Sequence, residues 1–445
     1  MLSAAAIPRQ TVPDHITRSV CGLLRGMLRP RCPESRAGPI MSPHYLSDER
    51  RQRPHMARDF AADIIDPIGR EIVANVGTWV DREVRPVASE YEHADEYPTP
   101  LVKGMSEMGL FGIKIPEAYG GLDLSFETYA GVCMELARGW MSLAGIINTH
   151  VLVGYAISEY GTEEQKQRFL PRLVEPEIRC ALSITEPDAG SDAQAIKTTA
   201  RRDGDDYIIN GQKMWVTNGQ RAGVYLVMTK TDPSAEPRHR GITAFLVEAG
   251  TPGFTSGKRF DKLGYKGVET TELSFDDARV PATAVLGGKE GSGFQHIMSA
   301  LEVGRINVSA RGVGLAQAAF DDAIRYAQKR YAFGKPIFEH QAQQLRLAEM
   351  AMKIRAGRLL TLDAARKKDS GARSDLDAGI AKLYSTEMCQ EVVLDALRIH
   401  GGVGYSKDLP LERYYRDAPL MVIAEGTSDI QKTVIARQIV KDYPV

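Results

Sequence analysis

Apolar positions recur at two different spacings along the chain, and the change of spacing divides it into regions. From about residue 57 to 178 the spacing is three and four residues, which predicts amphipathic helices. Tyr160 and Gly161 predict the end of one helix, and Thr162 begins a capped new one. One long apolar helical face is predicted from Val132, Leu136, Trp140, Leu143 and Ile147.

At Cys180 the pattern changes to the alternation of strands. Asn210-Gly211 is a strong signal for a two-residue hairpin turn, because both turn positions need positive φ. Short strands separated by turn residues over this region predict a small antiparallel barrel or sandwich. Strand-like runs are 207–209, 212–215, 224–228, 242–247 and 271–275.

From Gly291 onward the helical spacing returns, in stripes typical of long antiparallel helices. Gly401-Gly402 ends one of them, and a last helix is predicted from about Ser428, with Ser428 and Gln431 as a capping box and Ile430, Val434, Ile435 and Ile439 as its buried face. Together they predict a four-helix bundle. The fold class is therefore multidomain α+β: a leader or extension (1–56), an N-terminal helical domain (57–178), a β domain (179–289) and the bundle (290–445).

The turn before the last helix carries a carboxylate in a position suited to chemistry. Glu425 precedes Gly426, which tolerates a left-handed backbone, and it lies beside the positive end of the helix. From spacing alone, a solvated glutamate in a turn is the simpler interpretation.

Composition narrows the functional classes. The chain has 445 residues, 43% hydrophobic and 25% charged, with a net charge of −1, so no global field favours nucleic acid or a membrane surface. Five cysteines show no metal-binding spacing, which predicts no metal site and a reducing compartment. Asn148 and His150 interrupt the longest apolar run, so a soluble protein is expected.

The first 40 residues differ from the rest, with six arginines, no lysine and two acidic residues. Such a leader is typical of an organellar transit peptide. Its prolines oppose an amphipathic helix, and Met41 or Met56 could be the true start, so a non-native or disordered extension is the favoured alternative.

Two segments of the β region have compositions that suit a flat ligand. The run 183–192 combines hydroxyls with a loop of proline, glycine and small residues, and in the run 215–219 Trp215 and Thr217 lie two apart on one strand, hence on one face. An ordinary turn and a core tryptophan are the alternative interpretations.

These segments, together with Ala424–Gln431, resemble the motifs of the acyl-CoA dehydrogenases, and the resemblance extends from about residue 57 to the end. It implies FAD as cofactor and Glu425 as the base that removes the α-proton of an acyl-CoA. Ile184 and Thr185 would bond the flavin's pyrimidine edge, Trp215 would cover the ring, Thr217 would reach N5, and Ser191 would lie where flavin and thioester meet. The remaining FAD contacts implied, in part across a subunit contact, are Arg330, Phe333, Gln341, Arg398, Gly401, Gly402 and Thr427.

The resemblance also bears on the choice of base. Some family members carry the catalytic glutamate at the position of Gly304, and Glu302 is turned about 200° away from it on a helix. Glu425 is therefore the expected base. Substrate contacts implied are Ser191, Glu302, Arg305, Gly426 and Arg437, the last of which could equally be a surface residue.

The implied reaction takes an acyl-CoA to the trans-2-enoyl-CoA and passes electrons to an electron-transfer flavoprotein, in a homotetramer built as a dimer of dimers. A flavin-dependent oxidase or monooxygenase of the same fold is the alternative function, and a non-catalytic helical binding protein is a more remote one. Acyl chain length and branching are left open. The expected location is the bacterial cytoplasm, or the mitochondrial matrix if the leader is a transit peptide.

Overall fold

The computed structural model describes residues 60–175 and 178–443, so the leader prediction for residues 1–56 lies outside the described residues. The described chain begins with helices, continues as one sheet and ends with long helices. This order is the predicted multidomain α+β fold.

The N-terminal region contains six helices, with a π-helical turn at Val80–Val84 after the first. They are α1 (Pro67–Trp79), α2 (Ala88–Ala94), α3 (Thr99–Glu107), α4 (Phe126–Gly139), α5 (Met141–Tyr160) and α6 (Glu163–Val174). The predicted cap at Thr162 is confirmed, because its side chain and that of Gln165 form a reciprocal capping box.

The single long face predicted over residues 132–147 is wrong in one respect. All five of its residues are buried, but the helix breaks at Trp140, whose φ of −159° is extended, so the face is shared by α4 and α5. Of the helices described, α5 is long and apolar enough to cross a membrane by length and composition, and 83% of that window is buried inside the protein, as in the core helix of a folded domain.

Seven strands form one curled sheet. They are β1 (Arg179–Ser183), β2 (Thr199–Asp203), β3 (Asp206–Thr217), β4 (Ala222–Lys230), β5 (Ile242–Glu248), β6 (Phe254–Arg259) and β7 (Thr270–Pro281). Most pairs are antiparallel (β2–β3, β3–β7, β6–β7 and β4–β5), whereas β1 runs parallel to β4. The sheet is thus mostly, not wholly, antiparallel.

The predicted hairpin at Asn210-Gly211 is wrong. β3 runs straight through both residues, with a register shift between Ile209 and Gly211, and the tight turn lies between Asp203 and Asp206. Glycine is needed at position 211 because Thr198 packs closely against its backbone. A Cβ at this position would lie 2.5 Å from Thr198 Oγ1. A bulge and a turn share the need for positive φ, so the dipeptide alone could not separate them.

The two faces of the sheet pack into different cores. On β4, Val224, Leu226 and Met228 pack against α5 and α6, whereas Tyr225 and Val227 face the interior of the curled sheet. This alternation follows from the two-residue period of a strand. The sheet is therefore fixed against the helices that carry the site.

The C-terminal region contains α7 (Gly293–Lys329), a two-strand ribbon β8 (Tyr331–Ala332) and β9 (Lys335–Pro336), then α8 (Gln341–Asp369), α9 (Asp375–His400), α10 (Leu411–Ile423) and α11 (Ser428–Asp442). α7, α8 and α9 pack against one another, and α11 packs on α9. These are the four predicted bundle helices. α10 is a fifth, which the sequence pattern did not reveal.

Two predictions for α11 need correction. The helix begins at Ser428, but the cap is Thr427, whose side chain accepts from Ile430 N. Its predicted buried face is only half-buried in the single chain, and Ile439 is 45% exposed. An apolar stripe does not say which partner covers it.

Candidate active site

The turn between α10 and α11 holds Glu425 in an unusual backbone conformation. Glu425 has φ 55° and Gly426 has φ 91°, both left-handed. For a residue with a Cβ this costs about 1–3 kcal/mol and persists only where the surroundings enforce it. Here Gln431 Nε2 donates to the Glu425 carbonyl at 3.1 Å, and Lys382 Nζ donates to the Gly426 carbonyl at 2.7 Å. The loop is therefore held so that the Glu425 side chain points inward.

The Glu425 carboxylate lies between α5, α7 and α9, with a side chain only 15% exposed. Asn148 Nδ2, from α5, donates to Oε1, and Arg311 Nη2, from α7, lies 3.8 Å from the same oxygen. Oε2 has no hydrogen-bond partner among the described residues. A buried carboxylate with one oxygen free has the form of a base that awaits a proton.

Gly304 on α7 makes room for this carboxylate. A Cβ built on Gly304 would lie 1.9 Å from Glu425 Oε2, so no other residue fits without moving the acid. Glu302 faces away as predicted: it accepts from Lys368 Nζ at 2.9 Å and from Ser374 Oγ at 3.2 Å. Gly304 therefore leaves room on α7 for the Glu425 carboxylate. Among the described residues, Glu425 is the carboxylate that occupies this room, because Glu302 points elsewhere.

Burial raises the pKa of Glu425 above its ordinary value, and Arg311, Asn148, Lys382 and Arg305 oppose that rise. Loss of hydration disfavours the charged form, whereas the cations and the amide donor favour it. The result is a base stronger than a solvated glutamate.

Replacing Asn148 by alanine is expected to move the acidic limb of the rate profile upward. The hydrogen bond from Asn148 stabilises only the ionised carboxylate, and such a bond is worth about 1.5–3 kcal/mol, or roughly one to two pH units. Activity, which needs the ionised form, should then rise at higher pH than in the wild type. The measurement is the initial rate of flavin reduction between pH 5 and 9, with the exposed Asn210→Ala as control. A limb at the same pH in Asn148→Ala would contradict the assignment.

The loop that follows β1 is anchored by a buried ion pair. Lys213 Nζ lies 2.8 Å from Glu186 Oε1 and donates to the Ile184 carbonyl at 3.0 Å. Burial lowers the pKa of Lys213 to about 8 against the pull of Glu186. Met214 N also donates to the Thr185 carbonyl at 2.8 Å, so the backbone of Ile184 and Thr185 is fixed against β3.

Trp215 and Thr217 lie on the open side of β3. Val216 between them is buried, whereas Trp215 is 56% exposed and Thr217 is half-buried. Trp215 adopts φ 60° at a register shift, and its ring packs on Phe260 at 4.5 Å. An exposed indole beside a fixed loop backbone fits a flat ring such as an isoalloxazine.

Tyr265 connects this strand with the base. Burial raises the pKa of Tyr265, while Arg311 and a hydrogen bond with Thr217 oppose the rise, and the charge of Glu425 adds to it. Tyr265, which the sequence did not single out, thus lies near both Thr217 and Glu425.

Six other predicted cofactor residues gather at the opposite end of the bundle. The end of α7, the start of α8 and the end of α9 meet there, with Tyr326 stacked on His400 at 4.4 Å and Arg346 paired with Asp395 at 3.5 Å. All six residues are exposed, and Phe333 is 96% exposed. The six are Arg330, Phe333, Gln341, Arg398, Gly401 and Gly402. Along α7, Arg330 is ~39 Å from Gly304 at 1.5 Å per residue.

The remaining predicted residues are dispersed. Arg305 is buried and lies near Glu425, whereas Ser191 and Arg437 are exposed. The Thr427 hydroxyl caps α11 by accepting a hydrogen bond from Ile430 N. The Gly426 carbonyl accepts from Lys382 Nζ and so fixes the turn. The structure therefore unites Glu425, Gly426, Arg305 and Thr217, and leaves Ser191 and Arg437 on the surface of the single chain.

Sequence reasoning missed Asn148, Arg311, Lys382 and Tyr265 as site residues. Arg311 and Lys382 are charged side chains on the buried faces of α7 and α9, and buried charge is a signal of function. Asn148 was visible only as an interruption of an apolar run. Which of these polar residues on buried helix faces come together depends on how the helices pack.

Three models of one family match the chain: the N-terminal domain of acyl-CoA dehydrogenases at residues 66–177, the middle domain at 181–278 and the C-terminal domain at 291–440. An acryloyl-CoA reductase (NADH) of Anaerotignum propionicum is 43% identical over 82% of this chain and 92% of its own. An acyl-CoA dehydrogenase of Bacillus subtilis is 41% identical over 82% of this chain and 96% of its own. The solved butyryl-CoA dehydrogenase of Megasphaera elsdenii superimposes with a TM-score of 0.82 at 37% identity, covering 85% of this chain and 99% of its own.

Proposed function

The chain belongs to the acyl-CoA dehydrogenase family of FAD-dependent oxidoreductases, and from this membership we propose that it converts an acyl-CoA to the trans-2-enoyl-CoA with Glu425 as base. The observation that carries the proposal is the buried Glu425 carboxylate, with Oε2 unpaired among the described residues and facing the space left by Gly304. When bound, FAD supplies the acceptor for the hydride that leaves the β-carbon.

The chain's own groups would supply the rest of the chemistry. Glu425 Oε2 takes the α-proton, and Asn148 keeps the carboxylate oriented through Oε1. The Glu425 amide N–H has no acceptor among the described residues and is free to bond the thioester carbonyl as negative charge develops there. One such donor is typically worth about 3 kcal/mol. The burial of the Glu425 side chain limits the access of water, which would weaken these interactions.

Anaerobic addition of butyryl-CoA to the yellow enzyme tests this function. We expect loss of the flavin absorbance band and formation of crotonyl-CoA. An enzyme that stays yellow with every straight-chain, branched and dicarboxylic acyl-CoA supplied would refute it.

The reverse reaction is a second candidate, favoured by the 43% identity to an enzyme named as a reductase. The same base would then return a proton to the α-carbon of an enoyl-CoA. Reduced enzyme mixed with crotonyl-CoA tests this direction, and reoxidation of the flavin without oxygen supports it. The oxidase alternative is tested by peroxide formation during turnover in air.

For the electron acceptor we propose an electron-transfer flavoprotein, as the family resemblance implies. A two-electron-reduced flavin in a closed site needs an acceptor that docks at the surface. Reduction of the purified flavoprotein by enzyme and acyl-CoA, faster than direct reduction of oxygen, is the expected result.

A homotetramer that completes the cofactor site across a subunit contact is part of the proposal. In one chain Arg330 and its neighbours lie ~39 Å along α7 from the base, too far to hold the same FAD molecule as Thr217. The half-buried apolar stripe of α11 and the exposed Phe333 also suit a further contact.

Arg330→Ala is expected to weaken FAD binding by roughly 10- to 100-fold, because a charge-assisted hydrogen bond to a phosphate is lost. The measurement is the ratio of FAD to protein after gel filtration, with Lys329→Ala as the neighbouring exposed control. Unchanged FAD content in Arg330→Ala would oppose a pyrophosphate contact at Arg330, and an equal loss in Lys329→Ala would show that the effect is not specific to Arg330.

We also propose a reducing compartment, the bacterial cytoplasm or a mitochondrial matrix. The described cysteines, Cys133, Cys180 and Cys389, are all buried free thiols, as expected where disulfides do not form. Fractionation of the source cells tests it.

A further inference from the structure

The Glu425 carboxylate lies near three buried cations, two of which have further carboxylates nearby. Arg305, Arg311 and Lys382 are all buried and all act on the Glu425 carboxylate. The Lys382 ammonium donates a hydrogen bond to the Gly426 carbonyl. Arg305 also lies near Glu302 and Asp375. Arg311 has no carboxylate near it except Glu425 among the described residues. Arg311 is therefore the cation of this cluster with the fewest carboxylate partners, and it could pair with one more anion.

Arg311 is poorly satisfied for a buried guanidinium. Its side chain is 4% exposed, and its Nη2 lies 3.8 Å from Glu425 Oε1, which is too long for a hydrogen bond. Its Nε has no partner among the described residues. A guanidinium has five N–H donors in a fork that matches a carboxylate. The Nε–H of Arg311 is thus available to a bound group, while the guanidinium also bonds Tyr265.

Arg311 also lies on the face of α7 that is turned towards Glu425. Seven residues separate it from Gly304, nearly two turns of α7, so both residues are on the same face of the helix. Tyr265 lies beside it, with the ring centre 5.9 Å from the guanidinium carbon. A Cβ at Gly145 on α5 would lie 1.9 Å from the Tyr265 hydroxyl, so this hydroxyl fills the space against α5.

The buried residues between Gly304 and Arg311 on this face of α7 include a polar one. Asn307 Nδ2 donates to the Tyr129 hydroxyl at 2.9 Å and to Cys133 Sγ at 3.1 Å, and Asn307 Oδ1 has no partner among the described residues. Arg311 is close enough to Cys133 to act on it electrostatically. A long alkyl chain would leave these groups unsatisfied, whereas a short acyl group with an anionic end would satisfy Arg311.

We propose that Arg311 is a specificity-determining residue that binds the free carboxylate of a short dicarboxylic acyl group, of four or five carbons, carried as its mono-CoA thioester. The inference rests on the proposed function. The α-proton goes to Glu425 and the hydride leaves the β-carbon as before, while the second carboxylate stays ionised and no bond to it breaks.

The test compares charged substrates with uncharged ones of the same shape. FAD-loaded enzyme is reduced anaerobically with succinyl-CoA or glutaryl-CoA and, separately, with the corresponding ω-amides. We expect kcat/KM for at least one acid to exceed that of its amide by about 100-fold, the usual effect of a buried charge pair. If neither acid is preferred to its amide, the proposal is overturned without the need for a variant.

Variants then assign the preference to Arg311. Arg311→Gln should reduce the acid-to-amide ratio to near one, whereas Arg325→Gln, a half-exposed arginine on the same helix, should leave the ratio unchanged. Equal loss with acid and amide in Arg311→Gln would give Arg311 a role in positioning the base only, and would overturn the proposal. Butyryl-CoA separates the two hypotheses: if it bleaches the flavin while the acids are not preferred, the dehydrogenase function stands and the specificity fails; if no acyl-CoA bleaches it, the function itself fails.

Discussion

Glu425→Gln is expected to purify with its flavin but to lose reduction of that flavin by acyl-CoA by about 10⁴-fold, the upper end of what a positioned general base contributes. Glutamine has the same shape and can keep the Asn148 contact after its amide rotates, but it cannot accept the α-proton. The carboxylate is buried, its Oε2 is free among the described residues, and burial raises its pKa, so the structure offers no other group in the same place.

Stopped-flow absorbance under anaerobic conditions measures this loss directly. Glu391→Gln is the matched control, because Glu391 is an exposed glutamate on α9 paired with Lys353 at 2.7 Å. It should bleach at the wild-type rate. Rapid bleaching of Glu425→Gln would show that another group takes the proton and would remove Glu425 as the base.

Lys213→Met is expected to destabilise the protein by about 3–5 kcal/mol, because it leaves Glu186 as a buried carboxylate without its cation. Glu186 would keep its bonds from Thr198 N and Lys197 N but lose its charge partner. Although burial acts against it, Lys213 holds the pKa of Glu186 below its ordinary value, so removal of the ammonium favours protonation of the acid. The Ile184 carbonyl also loses its donor, so the loop that we propose contacts FAD should loosen and FAD content should fall.

Urea unfolding followed by fluorescence and by flavin absorbance measures both effects. Lys197→Met is the matched control: Lys197 forms an exposed pair with Asp188 at 2.8 Å, and such pairs contribute at most about 1 kcal/mol. The double variant Lys213→Met/Glu186→Gln should recover part of the loss, since no unpaired charge remains. Equal stability of Lys213→Met and the wild type would show that the pair is not needed to fix the loop.

Local sequence was enough to predict most of the secondary structure. The spacing of apolar residues predicted the long C-terminal helices and the start of α11, and the Thr162 cap was recognised because capping depends on residues three apart. Errors arose where one local signal serves two structures. Asn210-Gly211 forms a bulge instead of a turn, and Trp140 interrupts a periodic apolar run without any glycine or proline to mark the break.

The sequence by itself determined the fold class and the loop position of Glu425, because periodicity and turn chemistry act over a few residues. Only the tertiary structure decided that Asn148, Gly304, Arg311 and Lys382 surround that carboxylate, since they come from three helices far apart in the chain. The tertiary structure also raised the basicity of the acid, because loss of hydration comes from burial among several helices and from no residue alone.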